Sequence, residues 1–154
     1  MGFGGDEIAA GPSWEGWVRP PAYTRKPTIY LNDVIGEQVS VPEGSDVVIR
    51  LYGDVGALTV EETVSARTQV QSVADETQTF TVAQSGDLAV RGQSGAEWAL
   101  VAQPDSAPQV ELTARFEVGE DNEIRQRFLA RDDYGITVGR AFVTLIQREK
   151  LEPL

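Results

Sequence analysis

The chain has 154 residues, 41% of them apolar, which suits one generous domain or one domain with part of a second and argues against wholesale disorder. Its net charge of −11 sets it against nucleic acid and anionic membrane surfaces, because like charges repel. With neither cysteine nor histidine, it excludes disulfides, thiolate metal sites, cysteine nucleophiles, Ser-His-Asp chemistry and the usual general base of neutral pH.

Met1 to Ser13 reads as a flexible, glycine-rich lead; Asp6 and Glu7 replace the basic and apolar regions of a signal peptide. Trp14-Glu15-Gly16-Trp17-Val18 opens the ordered part, and Pro20-Pro21 forces an extended path. Thr28 to Leu31 is a short β-prone run. Glu37 to Val41 alternates with Val39 and Val41 on one face, and Pro42 to Ser45 is a turn. Asp46 to Tyr52 is the strongest strand: Val47, Ile49 and Leu51 point one way, Val48, Arg50 and Tyr52 the other. Leu58 to Val64 puts Leu58 and Val60 inward, and Thr77 to Val82 does the same with Phe80 and Val82. Val64 to Glu76 is too rich in Thr, Val and Ser for a good helix and is read as strand or loop. Leu88 to Arg91 and Glu97 to Ala102 follow, the second carrying Trp98 and Leu100.

Two prolines within Pro104 to Pro108 mark a boundary. Beyond it Val110, Leu112, Ala114 and Phe116 share one face, and Ile124, Phe128 and Ala130 resume it after a turn at Gly119 to Asn122. Arg140 to Ile146 is apolar on both faces and is expected to be a central or covered strand. Arg148 to Leu154 is a polar tail. No stretch approaches the roughly 20 apolar residues of a membrane-spanning helix.

Strands at this spacing, separated by Gly, Pro and Asp turns, predict an all-β, antiparallel sandwich of the immunoglobulin-like kind. Val41 to Arg50 has the turn-plus-strand form that opens the central B strand of such domains. Residues 14–104 are the expected main unit. Residues 105–150 form a partial second immunoglobulin-like unit or continue the first sandwich. An incomplete unit leaves an open edge, so a homodimer or a strand-exchanged contact is expected.

Several landmarks stand in order: Pro20-Pro21-Ala22-Tyr23-Thr24, Val41-Pro42-Glu43-Gly44-Ser45, Pro104-Asp105-Ser106-Ala107-Pro108 and Asp132-Asp133-Tyr134-Gly135-Ile136. Together, across most of residues 14–146, they resemble the exported segment of the DUF4175 family of alphaproteobacterial membrane proteins. The resemblance implies a long protein with transmembrane helices near its N-terminus and a large extracytoplasmic region, of which this chain is a β-rich piece. It implies that Pro104 to Pro108 joins two immunoglobulin-like units. It supplies no activity and no catalytic residues.

Two groups of residues have the composition of a site. Trp14, Trp17, Tyr23 and Tyr30 cluster near the start and are the candidate ligand or partner surface; aromatics on a strand face stack on sugars or peptides, and equally close a sandwich core. Asp132 and Asp133, with Asp105 and the acidic Glu117 to Glu123 loop, are a candidate calcium site without the spacing of a helix-loop-helix calcium loop. The plainer reading is a turn in which aspartates accept backbone N–H bonds and Gly135 takes positive φ. Glu61-Glu62 points to opposite faces of a strand and so makes no carboxylate pair.

The expected function is therefore that of a non-catalytic structural or protein-interaction module, in the extracytoplasmic, periplasmic part of an inner-membrane protein. It needs no cofactor and no metal. The alternative is a carbohydrate- or peptidoglycan-binding module that uses the tryptophans, and it requires an exposed aromatic platform.

Overall fold

The computed structural model describes residues 11–69, 71–144 and 146. The first ten residues of the expected lead and the tail from Gln147 onward lie outside them. The chain divides into two compact units, Met1–Asp105 and Ser106–Leu154, and the division falls inside the Pro104 to Pro108 segment.

The described residues of the first unit form eight strands: β1 (Ser13–Arg19), β2 (Ile29–Tyr30), β3 (Gln38–Pro42), β4 (Asp46–Tyr52), β5 (Leu58–Glu62), β6 (Thr77–Thr81), β7 (Gly86–Gly92) and β8 (Ala96–Gln103). They form two four-stranded sheets, β2-β1-β4-β6 and β3-β8-β7-β5. The sets β1-β4-β6 and β5-β7-β8 reproduce the A-B-E and C-F-G arrangement of an immunoglobulin-like sandwich, and β4 is its B strand. One detail departs from an all-antiparallel reading: β3 runs parallel to β8, Val39 beside Leu100 and Val41 beside Ala102. The residues between β5 and β6 form bends and turns, so Val64 to Glu76 is a loop over its described residues.

The core follows from strand alternation. Val18, Val47, Ile49, Phe80 and Val82 from one sheet meet Val39, Val41, Leu58, Leu88, Val90, Trp98 and Leu100 from the other, and all are buried. Each such aliphatic side chain contributes about 1.5–3 kcal/mol by leaving water. Gly16 permits close packing: a Cβ there would lie 2.8 Å from Ile49 Cδ1 and 3.0 Å from Leu31 Cδ1, so those side chains would have to move. Its absence lets the 3-10 turn Leu31–Asp33 fold across β1 and bury Leu31.

Both edges of the first sheet are finished by side chains. β2 pairs with β1 only at Trp17 and Val18. Beyond that the Asn32 amide continues the ladder, accepting from Gly16 N at 3.0 Å and donating to Trp14 O at 2.9 Å. On the opposite edge Gln71 and Arg67 serve β6 at Thr79.

The second unit is a broken hairpin. β9 (Gln109–Leu112) pairs antiparallel with β12 (Phe128–Arg131), and β10 (Glu117–Val118) with β11 (Ile124–Arg125). Leu112 faces Phe128 whereas Glu117 faces Arg125, so residues 113–116 oppose only 126–127 and the ladder bulges between the two pairings. Val110, Leu112, Phe128 and Ala130 lie on one face, as their alternation predicts. The strand expected over Arg140 to Ile146 is a correction: its described residues, 140–144 and 146, have no regular structure, and Phe142, Val143 and Ile146 are 90%, 84% and 88% exposed. A strand apolar on both faces needs neighbours and two covering layers, and the described residues of the second unit offer only a hairpin.

Candidate functional site

The start of the chain places its aromatics by strand alternation. In β1, Trp14, Gly16 and Val18 turn inward while Glu15 and Trp17 turn outward. Trp14 closes one end of the sandwich. Its ring meets Trp98 edge-on, centroids 5.3 Å apart, and its indole N–H donates to Ser94 O at 2.8 Å. Trp17 lies beside its cross-strand partner Tyr30, ring centroids 5.8 Å apart, and the Arg50 guanidinium sits 5.5 Å from its ring centre.

Glu15 anchors this outer face. One carboxylate oxygen accepts from Tyr52 Oη at 2.8 Å and the other from Tyr30 Oη at 3.4 Å. Partial burial, then the Glu15 charge, raises the Tyr30 phenol above its ordinary value; the hydrogen bond to Glu15 raises Tyr52. Both phenols stay protonated at neutral pH and donate. The structure thus brings Trp17 and Tyr30 together and adds Glu15, Arg50 and Tyr52. It sends Trp14 to the opposite face of the sheet. Tyr23, 51% exposed in the Ala22–Thr24 turn, lines a separate shallow depression with Glu43, Gly44, Thr81 and Pro104. The cross-strand partners were the missed part of this cluster: Arg50 lies opposite Glu15 and Tyr52 opposite Ser13 only once the β1–β4 register is known.

A second polar cluster stands at the end of β5. Glu62, with a side chain only 7% exposed, accepts from Val64 N, Ser65 N and Ser65 Oγ at 2.6–2.8 Å and from Arg67 Nε at 3.0 Å. Burial pushes its carboxyl upward, but those donors outweigh burial and hold it below its ordinary value. Arg67 also lies 5.2 Å over the Phe80 ring. Glu61 points the other way, to Arg91 at 3.1 Å, as alternation predicts.

In the second unit, Asp132 accepts from Tyr134 N at 3.0 Å and Asp133 from Ser106 N at 3.2 Å, and Gly135 has φ of +91°. Among the described residues, no group of three or more acidic side chains is placed to hold a metal ion. The conspicuous feature is the exposed apolar face of the hairpin, with Val110, Leu112 and Phe128 side by side and Phe116, Val118 and Ile124 also open to solvent.

The first unit is an immunoglobulin-like β-sandwich whose tryptophans are built into packing and cross-strand contacts. The chain belongs to the DUF4175 family, described as a domain of unknown function, whose model matches residues 1–153. Neither a curated protein nor a solved structure matches it. Among the described residues no helix is long and apolar enough to cross a membrane.

Proposed function

We propose that this chain is a non-catalytic structural and protein-interaction module of a membrane-anchored bacterial protein, lying in its extracytoplasmic, periplasmic part. The observation that carries the interaction reading is the hairpin face of the second unit. Val110, Leu112 and Phe128 are 67%, 67% and 64% exposed and adjacent in register. A two-stranded hairpin is marginal alone, and a contiguous open apolar face marks an interaction surface. The first unit suits a rigid support, since its core is closed and the edges of its β2-β1-β4-β6 sheet carry side-chain caps. The extracytoplasmic placement rests on the family resemblance.

The carbohydrate- or peptidoglycan-binding alternative needs free ring faces. Trp14 packs against Trp98 and Trp17 lies against Tyr30 and Arg50, which supports the interaction reading over the glycan one.

Two experiments test the proposal in cells. A photo-crosslinking side chain at Leu112 is expected to capture protein, and one at Glu111, on the other face, is expected to capture much less. Equal or absent capture at both positions refutes the interaction reading. A single cysteine placed at Ser40 in the natural full-length protein is expected to react with a membrane-impermeant maleimide once the outer membrane is opened. Labelling only after complete lysis refutes the extracytoplasmic placement.

A further inference from the structure

Antiparallel ladders alternate, so each residue of an edge strand points its N–H and C=O either at its neighbour or away from it. In the β6 region Glu76 O accepts from Leu51 N at 2.7 Å, Val82 N donates to Ser45 O at 2.8 Å, and Gly44 N donates to Val82 O at 2.7 Å. Even-numbered residues therefore face β4, and Thr77, Thr79 and Thr81 face outward. In a constant-type immunoglobulin sandwich strand D would take those outward groups; among the described residues no strand lies there. Two side chains stand in for it. Thr79 N donates to Gln71 Oε1 at 2.7 Å, and Thr79 O accepts from Arg67 Nη1 at 3.2 Å. Arg67 is held in place by Glu62 and by the Phe80 ring.

The strand behind those caps lacks two of the usual deterrents to edge pairing. It reads Thr-Gln-Thr-Phe-Thr, with no charge and no proline. It is also self-complementary. A second β6 laid antiparallel about Thr79 sets Thr79 against Thr79 and Thr77 against Thr81, and these are the outward-facing residues. All three threonines share the exposed face, so the same pairing stacks threonine on threonine. No like charges meet.

We propose that β6 is a homotypic pairing edge masked by Arg67 and Gln71: when these side chains leave Thr79, two copies of the chain join β6 to β6 into one continuous sheet. The occupant is a second copy because the register that satisfies Thr79 also satisfies its flanks with the same sequence. This surface belongs to the first unit and is independent of the hairpin face proposed above.

The chain has no cysteine, so single cysteines report the register directly. Residues in a hydrogen-bonded antiparallel pair lie about 5.5 Å apart at Cα, inside the roughly 4.4–6.8 Å range of disulfides. Position 77 would face 81 of the other copy, roughly 13 Å from its own counterpart at about 3.3 Å per residue. In the full chain, R67A/Q71A is expected to shift from the 16.8 kDa monomer to twice that mass with rising concentration in sedimentation velocity. Adding Thr79→Pro removes the outward N–H, leaves the β4 side intact and is expected to restore the monomer. Under mild oxidation, Thr79→Cys in the R67A/Q71A background is expected to cross-link faster than Thr77→Cys. A folded R67A/Q71A that stays monomeric, a dimer that survives Thr79→Pro, or equal cross-linking at 77 and 79 overturns the proposal. Should R67A/Q71A fail to fold, the same two cysteines in the otherwise unchanged chain decide: preference for position 79 supports the edge, and equal rates overturn it.

Discussion

Glu62 carries more of the local structure than its place in an acidic chain suggests. Four donors converge on one nearly buried carboxylate and fix the turn after β5. Gln keeps the shape but puts an NH2 donor where one of the two accepting oxygens stood, so two of the four donors lose their acceptor and the other two lose a charged one; Glu62→Gln is expected to lower unfolding stability by about 1–3 kcal/mol, measurable by urea titration at neutral pH. The sign of the pH dependence follows from the lowered carboxyl. Stability from Glu62 is fully present above its ordinary value of 4.5 and is lost as pH falls through the lower folded value. The gap between the natural chain and Glu62→Gln is therefore expected to close on acidification below 4.5; a gap that widens there would contradict the assignment. Gly16 makes a second residue-scale case. Gly16→Val would thrust a branched side chain against Ile49 and Leu31, and a loss of about 1–3 kcal/mol is expected in the same titration.

At the scale of elements, the two units use their strands differently. In the first, every apolar strand face meets another, and the edges of the β2-β1-β4-β6 sheet end on Asn32, Gln71 and Arg67. In the second, the β9–β12 hairpin has an apolar face with no layer against it among the described residues of that unit. L112S/F128S is expected to lower the binding of a hydrophobic dye severalfold, with no change in the unfolding transition of the first unit followed by its tryptophan fluorescence. Dye binding that persists would place the exposed apolar surface elsewhere. Much of this was legible in the sequence. The β4 alternation of Val47 and Ile49, the β6 alternation of Phe80 and Val82, and the common face of Val110, Leu112 and Phe128 all follow from period two. Arg140 to Ile146 was misread because its composition asks for a central strand while pairing partners decide whether one forms.

For the whole molecule, the division after Asp105 predicts unequal independence. Residues 1–105 contain all of the closed core and are expected to unfold in one cooperative transition when expressed alone. Residues 106–154 are expected to show no cooperative transition, since a hairpin without a covering layer buries too little apolar surface to offset its chain entropy. Calorimetry of the two fragments checks both statements. A cooperative transition in the second would mean that it completes a core of its own.

The sequence by itself determined the class and the faces. Period-two alternation, Gly and Pro punctuation and the absence of helical runs specify strands and their inward residues, because side-chain direction in a strand is a local property of the backbone. Its ordered landmarks also pointed to the family. Tertiary structure decided everything that depends on register. It set Trp17 beside Tyr30 and under Arg50, separated Trp14 and Tyr23 from them, ran β3 parallel to β8, and put Gln71 and Arg67 on the edge of β6. Those contacts join residues of different strands and loops, and a strand's local pattern fixes which way a side chain points without fixing which strand it meets.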